Sequence, residues 1–176
     1  MKQSKLIIMK GFENEIYRYL LLISVLLSII ILITAIRWPR IARLLFFLLF
    51  AWACGINLQT SQQTPHVYLE YANLTWSSLY KGIINGWFST HIQLVVGAIA
   101  VCQGLIAVSM LLSGVLFRTG AIGAIIFLVA IIPFGLGSGF PTTLIMSIAL
   151  IILLGKHADQ YIWHANKIGP ASRVSL

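Results

Sequence analysis

The sequence predicts an all-α integral membrane protein, and its charge distribution and hydropathy carry this prediction. Between Gly82 and Gly155 the chain has a single fully charged side chain, Arg118. A water-soluble domain of this size needs many more charges to keep its surface solvated. In addition, 59% of the 176 residues are hydrophobic, and the mean hydropathy is +0.94. Lipid is therefore the expected solvent for most of the chain.

Five apolar segments predict five membrane-spanning helices. They run over Tyr19–Ile36, about Ile41–Ile56, about Thr90–Phe117, Gly120–Phe134 and Phe140–Gly155. The first is interpreted as an uncleaved helix rather than a signal peptide, because it is long, lacks an A-x-A cleavage site and is followed at once by Arg37. Arg118 is placed in the turn between the third and fourth helices, and the glycine-rich run 135–139 in the turn before the fifth.

These segments divide the chain into three parts. Residues 1–40 form an N-terminal tail and an extra transmembrane helix, residues 41–156 a four-helix bundle, and residues 157–176 a cytoplasmic tail. Within the bundle, residues 57–89 form one polar loop, which is too long to be a structureless connector in so compact a protein. Its aromatic residues predict an interfacial helix with rings at headgroup level, a lid or floor for an outer substrate site, or both.

The distribution of lysine and arginine predicts the orientation. The stretch Arg37–Arg43, Arg118 and the C-terminal tail carry seven basic residues, whereas the loops 57–89 and 135–139 carry one, Lys81. By the positive-inside rule the first group is cytoplasmic, which predicts a multi-pass protein of the cell membrane with a cytoplasmic C-terminus.

Five spans place the N-terminus outside, in conflict with its own basic residues; the alternative is that Tyr19–Ile36 does not span. The same distribution argues against nucleic-acid binding, although the net charge is +8.

Polar residues are few in the predicted membrane region. Gln103 lies near the middle of the third segment and Gln93 near its outer end. Together with Trp87 they are the candidate quinone-binding residues, because a quinone carbonyl needs a neutral donor beside an apolar groove. The alternative for Gln103 is a hydrogen bond between helices. Small residues recur on the same segment at three- and four-residue spacing and predict close helix packing: Gly97, Ala100, Gly104 and Ala107.

Four residues near the predicted outer side are candidate catalytic residues. His66 or His91 could accept a proton released when a substrate is oxidised. Lys81 is the cation that a small sulfur oxyanion would need, and Cys54 is a candidate redox thiol. The alternative is structural: a lone histidine often has no catalytic role, and a buried cysteine is usually a small apolar residue. Cys54 and Cys102 are expected at different depths and are not predicted to form a disulfide.

Short sequence motifs add little to the prediction of function. Asn73-Leu74-Thr75 is an N-glycosylation sequon on the predicted outer side, which makes Asn73 a candidate glycosylation site. The two cysteines form no CxxC motif, and the glycine run 135–139 follows an apolar helix rather than a strand. No metal site and no flavin motif is therefore predicted.

Three stretches of the chain resemble the DoxX/DoxD-like membrane proteins. They are Arg43-Leu44-Leu45-Phe46 leading to Ala53-Cys54-Gly55, then Gly97 to Gly114 with Phe117-Arg118-Thr119-Gly120-Ala121, and Gly135-Leu136-Gly137-Ser138-Gly139-Phe140-Pro141. The resemblance covers about Arg43–Leu154. It implies a four-helix DoxX-like bundle, here with one extra N-terminal transmembrane helix.

Within that family the chain is most similar to the DoxD large subunits of archaeal thiosulfate:quinone oxidoreductases. The resemblance implies that thiosulfate is oxidised to tetrathionate, that a membrane quinone accepts the electrons, and that a small DoxA-type subunit is the partner. It implies no particular catalytic residue. The competing hypothesis is a non-catalytic membrane scaffold or assembly partner of a redox complex. A coupled transporter is disfavoured, because the intramembrane charges that couple ions to transport are missing.

Overall fold

The computed structural model describes residues 15–156, and these residues form helices and turns without a β-strand. The long helices are α1 (Glu15–Arg37), α2 (Pro39–Gln63), α5 (Ile92–Leu111), α6 (Gly114–Ala130) and α7 (Thr142–Gly155). Between α2 and α5 lie a 3₁₀ segment (Pro65–Glu70), α3 (Tyr71–Leu74), α4 (Ser78–Ile83) and a π-helical turn (Ile84–Phe88). A second 3₁₀ segment, Ile132–Ser138, joins α6 to α7. The all-α prediction is confirmed, and the predicted tail 157–176 lies outside the described residues.

Three of the described helices, α1, α2 and α5, are long and apolar enough to cross a membrane. Helices α6 and α7 are apolar but have only 17 and 14 residues. At ~1.5 Å per residue they extend about 26 and 21 Å, less than a ~30 Å hydrocarbon core. The chain is therefore an all-helical protein with helices able to span a membrane, and the topology of five spans stays a prediction.

The five long helices form a closed ring in which each contacts the next, with α7 returning to α1. The hydroxyl of Thr142 donates to Ser24 Oγ at 3.1 Å, and the Lys156 ammonium donates to the Ile36 carbonyl, so α1 and α7 run parallel. All five helices contribute to one buried core, whose largest members include Phe46, Phe50, Phe117, Met110 and Leu150. The α2–α5 contact is the most extensive.

One end of this ring, here called the basic end, collects most of the described basic residues. The α1–α2 turn, the start of α6 and the residue after α7 bring together Arg37, Arg40, Arg43, Arg118 and Lys156. The opposite end, where residues 65–88 lie, is here called the loop end. This segregation is the arrangement that the charge distribution predicts. The side of the membrane that the basic end faces stays a prediction.

Arg43, which was counted with the basic residues at the cytoplasmic side, lies inside α2 and is buried, with 1% of its surface exposed. Its Nε donates to the Met110 carbonyl at 2.9 Å, and its Nη2 donates to the Leu112 carbonyl. Its guanidinium also lies 4.2 Å from the centre of the Phe117 ring. The last carbonyls of a helix have no partner within that helix. Arg43 therefore caps α5 from α2 and packs against α6.

Two predicted boundaries were wrong. The turn between the third and fourth segments lies at Leu112 and Ser113, not at Arg118, which is inside α6. Gly114 makes this turn with a φ of 60°, a conformation that favours glycine. Helix α2 continues to Gln63, so the first seven residues of the predicted loop 57–89 are helical. Pro65 ends it, because a residue before proline is disfavoured in the helical conformation, and Thr64 has φ −140° and ψ 56°.

The rest of the predicted loop forms an aromatic cap over the α6–α7 turn, as short helices rather than a structureless connector. The rings of Tyr71 and Tyr80 lie 5.6 and 5.1 Å from that of Phe134, and Trp76 lies 5.5 Å from Phe140. The Tyr80 hydroxyl donates to the Ala130 carbonyl at 2.8 Å, at the end of α6. These rings therefore cover the loop end of the bundle.

Candidate functional site

A groove of about 1000 Å³ lies between α5 and α6 and runs along most of α5. Its walls are mainly aliphatic, and Trp87 lies at its loop end. Leu94, Leu105 and Ile126 line it and are largely exposed, so the groove opens on the outside of the bundle. In a membrane this surface faces lipid. The volume is at the upper end of the ~300–1000 Å³ typical of small-molecule sites.

Glycines on α6 shape the groove. At Gly120 the two helices cross closely, because an added Cβ would stand only 1.7 Å from Ser109 Oγ and 2.3 Å from Ser109 Cβ. Three residues further along α6, a Cβ at Gly123 would meet nothing within 4 Å, and this residue lines the groove. The crossing closes the interface at one point and leaves open space beside it.

Gln103 is the buried amide of this groove, and it belongs to a chain of three polar side chains. It lines the groove with 4% of its surface exposed. Its Oε1 accepts a hydrogen bond from Asn57 Nδ2 at 2.8 Å, and Asn57 Oδ1 accepts one from the Tyr68 hydroxyl at 2.9 Å. The chain, here called the polar chain, therefore joins the first 3₁₀ segment, α2 and α5. The predicted contact between helices through Gln103 is confirmed.

The hydrogen bonds of the polar chain all donate in the same direction, from Tyr68 toward Gln103. Burial raises the pKa of the Tyr68 phenol, as does the neighbouring Tyr71, while a hydrogen bond with Thr60 lowers it. The phenol therefore stays protonated at neutral pH and donates to Asn57. Asn57 in turn donates to the Gln103 carbonyl oxygen. Within the described part of the chain no acceptor takes the Gln103 amide hydrogens. They form the donor end of the chain, on a residue that lines the groove.

The other two predicted quinone-binding residues differ in their position relative to the groove. Trp87 lines the groove, whereas Gln93 is exposed and lies outside its lining. His91 stacks on Trp87 with ring centres 4.6 Å apart, and its Nδ1 lies 2.9 Å from the Trp87 carbonyl oxygen. His91 therefore adjoins the loop end of the groove. It is about 18 Å along α5 from Gln103 at the helical rise, so the two residues cannot contact one small ring.

The remaining candidate catalytic residues do not line the groove. His66 and Lys81 are exposed at the loop end. Cys54 is half-buried between α2 and α5, with its Sγ 3.3 Å from the position of a Cβ at Gly104. This contact supports the prediction that the small residues of α5 pack against another helix. Cys102 is an exposed free thiol that lines the groove.

Asn73 of the sequon lies in α3 and is exposed, and Thr75 directly follows the helix. The Thr75 hydroxyl donates to the Pro133 carbonyl at 2.6 Å and accepts from the Ser77 amide. The sequon threonine thus helps to attach the aromatic cap to the α6–α7 turn, whether or not Asn73 carries a glycan.

Sequence reasoning missed Asn57, Tyr68 and the role of Arg43. The signal for Asn57 was its position three residues after Cys54, which puts both near one face if α2 continues past Ile56. A buried glutamine in a membrane helix also requires a polar partner on a neighbouring helix. Tyr68 carried no distinguishing signal among the aromatic residues of the loop.

Among residues 15–156 the structure contains no group of three or more histidine, cysteine or acidic residues that could hold a metal ion. No protein-family model, curated protein or solved structure matches this chain. The resemblance to the DoxX/DoxD-like proteins therefore stays a prediction.

Proposed function

We propose that this protein is the quinone-binding membrane subunit of a redox complex and that the α5–α6 groove holds the quinone. The observation that carries the proposal is the carboxamide of Gln103, whose amide hydrogens have no acceptor among the described residues, in the wall of an apolar groove. A quinone offers carbonyl oxygens as acceptors and an apolar ring and tail. The groove matches both properties.

In its specific form, the proposal is that this protein is the large subunit of a thiosulfate:quinone oxidoreductase. The resemblance to the DoxX/DoxD-like membrane proteins supports this form. Two thiosulfate ions lose two electrons and join through a new S–S bond to form tetrathionate. The quinone takes up these electrons and two protons to become the quinol. The candidate residues His66, Lys81 and His91 lie at the loop end, and His91 is about 18 Å from Gln103 along α5. In this form of the proposal thiosulfate is oxidised at the loop end, and a redox cofactor in a small DoxA-type partner docked there carries the electrons to the quinone.

Quinone binding is tested with the purified full chain and decylubiquinone, followed by quenching of tryptophan fluorescence. We expect saturable binding that weakens at least about fivefold in Gln103→Leu, because a hydrogen bond to the ligand is lost. Gly123→Leu should weaken it further by filling the groove, without a clash at Cβ. Gln93→Leu is the matched control and should bind as the wild type does. Absent binding, or equal binding by all variants, would contradict the proposal.

The oxidoreductase form has its own test, which is thiosulfate-dependent quinone reduction by the chain purified together with a small membrane partner. Tetrathionate and quinol should appear in a one-to-one ratio. No activity in a folded, quinone-loaded complex would refute this form and leave quinone binding untouched.

The second candidate is a non-catalytic scaffold, favoured by the placement of the candidate catalytic residues. His66 and Lys81 are exposed and outside the groove, and Cys54 packs between two helices. If the triple variant His66→Ala, Lys81→Ala, His91→Ala retains full activity in the assembled complex, none of these three side chains takes part in the reaction.

A further inference from the structure

We propose that the polar chain makes the α5–α6 groove selective for the oxidised, carbonyl form of its ligand over the reduced, hydroxyl form. This inference rests on the proposed function and adds a redox preference to it. It also assigns Asn57 and Tyr68, which are not in the groove lining, as positioning residues for Gln103.

A carboxamide can present either its oxygen or its NH2 group to a ligand, since a rotation of about 180° exchanges them. In this structure the Gln103 oxygen accepts from Asn57 Nδ2 at 2.8 Å. Rotating Gln103 would bring two NH2 groups face to face and remove that hydrogen bond. Gln103 is therefore held with its oxygen toward α2 as long as Asn57 keeps its own orientation.

Asn57 is held by Tyr68. The Tyr68 hydroxyl donates to Asn57 Oδ1 at 2.9 Å, so the Asn57 NH2 group is the part left to face Gln103. The side chains of Tyr68 and Gln103 are both buried, with 9% and 4% of their surfaces exposed. Asn57 between them is half-buried, so both hydrogen bonds are partly shielded from water.

The consequence is a groove wall that offers donors at Gln103. A quinone oxygen only accepts, so it suits this wall. A quinol hydroxyl must also donate its proton, and against a donor group in an apolar groove that proton has no acceptor there. The hydroxyls of Ser109 and Thr119 also line the groove; they donate to the Ile106 and Leu116 carbonyls, and their oxygens can still accept. Ser109, however, lies six residues from Gln103, about 9 Å along α5 at the helical rise, and the residue after Thr119 crosses α5 at Ser109. Both oxygens are therefore too far away for a hydroxyl bound at Gln103. An unsatisfied hydroxyl weakens binding by roughly tenfold.

Such a preference would release the product of quinone reduction. Quinol formed at this site would bind less tightly than the quinone that replaces it, so the site would empty toward the membrane pool. The direction of the preference agrees with a quinone as electron acceptor.

The test compares the dissociation constants of decylubiquinone and its quinol, measured anaerobically with the full chain by equilibrium dialysis. The wild type should bind the quinone roughly tenfold more tightly. Asn57→Leu and Tyr68→Phe should bring the two constants to within about threefold, because Gln103 can then rotate. Tyr80→Phe is the control: it removes a tyrosine hydroxyl that donates to a backbone carbonyl outside the polar chain, and it should keep the wild-type ratio.

The outcomes separate the two proposals. Equal affinities in the wild type overturn the redox preference and leave quinone binding intact, and this measurement needs no variant to fold. A wild-type preference that persists unchanged in both folded variants overturns the assignment to the polar chain. Binding of neither form overturns both proposals.

Discussion

The crossing of α5 and α6, which borders the proposed quinone groove, can be tested by adding one methyl group. In Gly120→Ala the new Cβ would stand 1.7 Å from Ser109 Oγ and 2.3 Å from Ser109 Cβ. Rotation of the serine side chain moves the hydroxyl but leaves its Cβ in place. Since carbon atoms in contact are ~3.5–4.0 Å apart, the two helices must separate by more than 1 Å.

The expected loss of stability follows from this overlap. Overpacking an interior costs about 1–3 kcal/mol, and the upper value applies because the clash is with an atom that cannot rotate away. The higher helix propensity of alanine returns about 1 kcal/mol. A net loss of about 2 kcal/mol lowers the unfolding midpoint by roughly 4–8 °C in a chain of this size.

The assay is thermal unfolding of the purified full chain in detergent. Adding Ser109→Gly to Gly120→Ala removes both clashing atoms and should return the midpoint to that of Ser109→Gly alone. Adding Ser109→Ala should not, because the Cβ at 2.3 Å remains. Gly97→Ala is the control on α5, where a Cβ would meet nothing within 4 Å. A wild-type midpoint for Gly120→Ala, or equal rescue by Ser109→Ala, would refute the crossing.

Two further predictions concern Arg43 and Tyr68. Arg43→Met should lower stability by about 1.5–3 kcal/mol, because hydrogen bonds from a charged group to Met110 and Leu112 are lost. Arg37→Met, at an exposed site, should change it by less than about 0.5 kcal/mol. Similar midpoints for the two would contradict the buried placement of Arg43. Burial raises the pKa of Tyr68, so its stabilisation is complete below the unfolded value of about 10 and is lost as pH rises above it. The unfolding midpoint of Tyr68→Phe should therefore fall less steeply than that of the wild type above pH 10, and parallel curves would show that Tyr68 is not buried.

The helical class and the segregation of charge were predictable, because both depend on properties that hydropathy and charge counts measure directly. The turn at Leu112 and Ser113 was not. It lies within a long apolar run whose local turn signal is only Ser113-Gly114, and hydropathy averaged over a window does not register a single polar residue. Such a turn exposes helix carbonyls, which is costly in lipid, and Arg43 supplies the missing donors from another helix. The compensating residue is 69 positions away along the chain.

The candidate site was predicted in part for a similar reason. Gln103 stands out because an amide is rare in an apolar helix, and Trp87 was included with it. Asn57 was placed in a loop, since polar residues after Ile56 resemble the end of a membrane helix. They instead continue α2 until Pro65 ends it. Its partners, Gln103 and Tyr68, are 46 and 11 positions away, and only the fold brings them together.

Two of the residues that sequence reasoning missed, Arg43 and Asn57, bring polar side chains of α2 onto α5. Arg43 caps α5 near the basic end, and Asn57 bonds to Gln103 about 21 Å further along α2 at the helical rise. Helix α5 is therefore held mainly by α2, and its contact with α6 is smaller. Because α2 provides most of the contacts that hold α5, a long groove can exist between α5 and α6 without loosening the bundle. For the same reason, a ligand in the groove adds contacts without breaking existing ones. Quinone at 100 times its dissociation constant should then stabilise the chain by about 2.7 kcal/mol, and Gly123→Leu, which weakens binding, should reduce that gain.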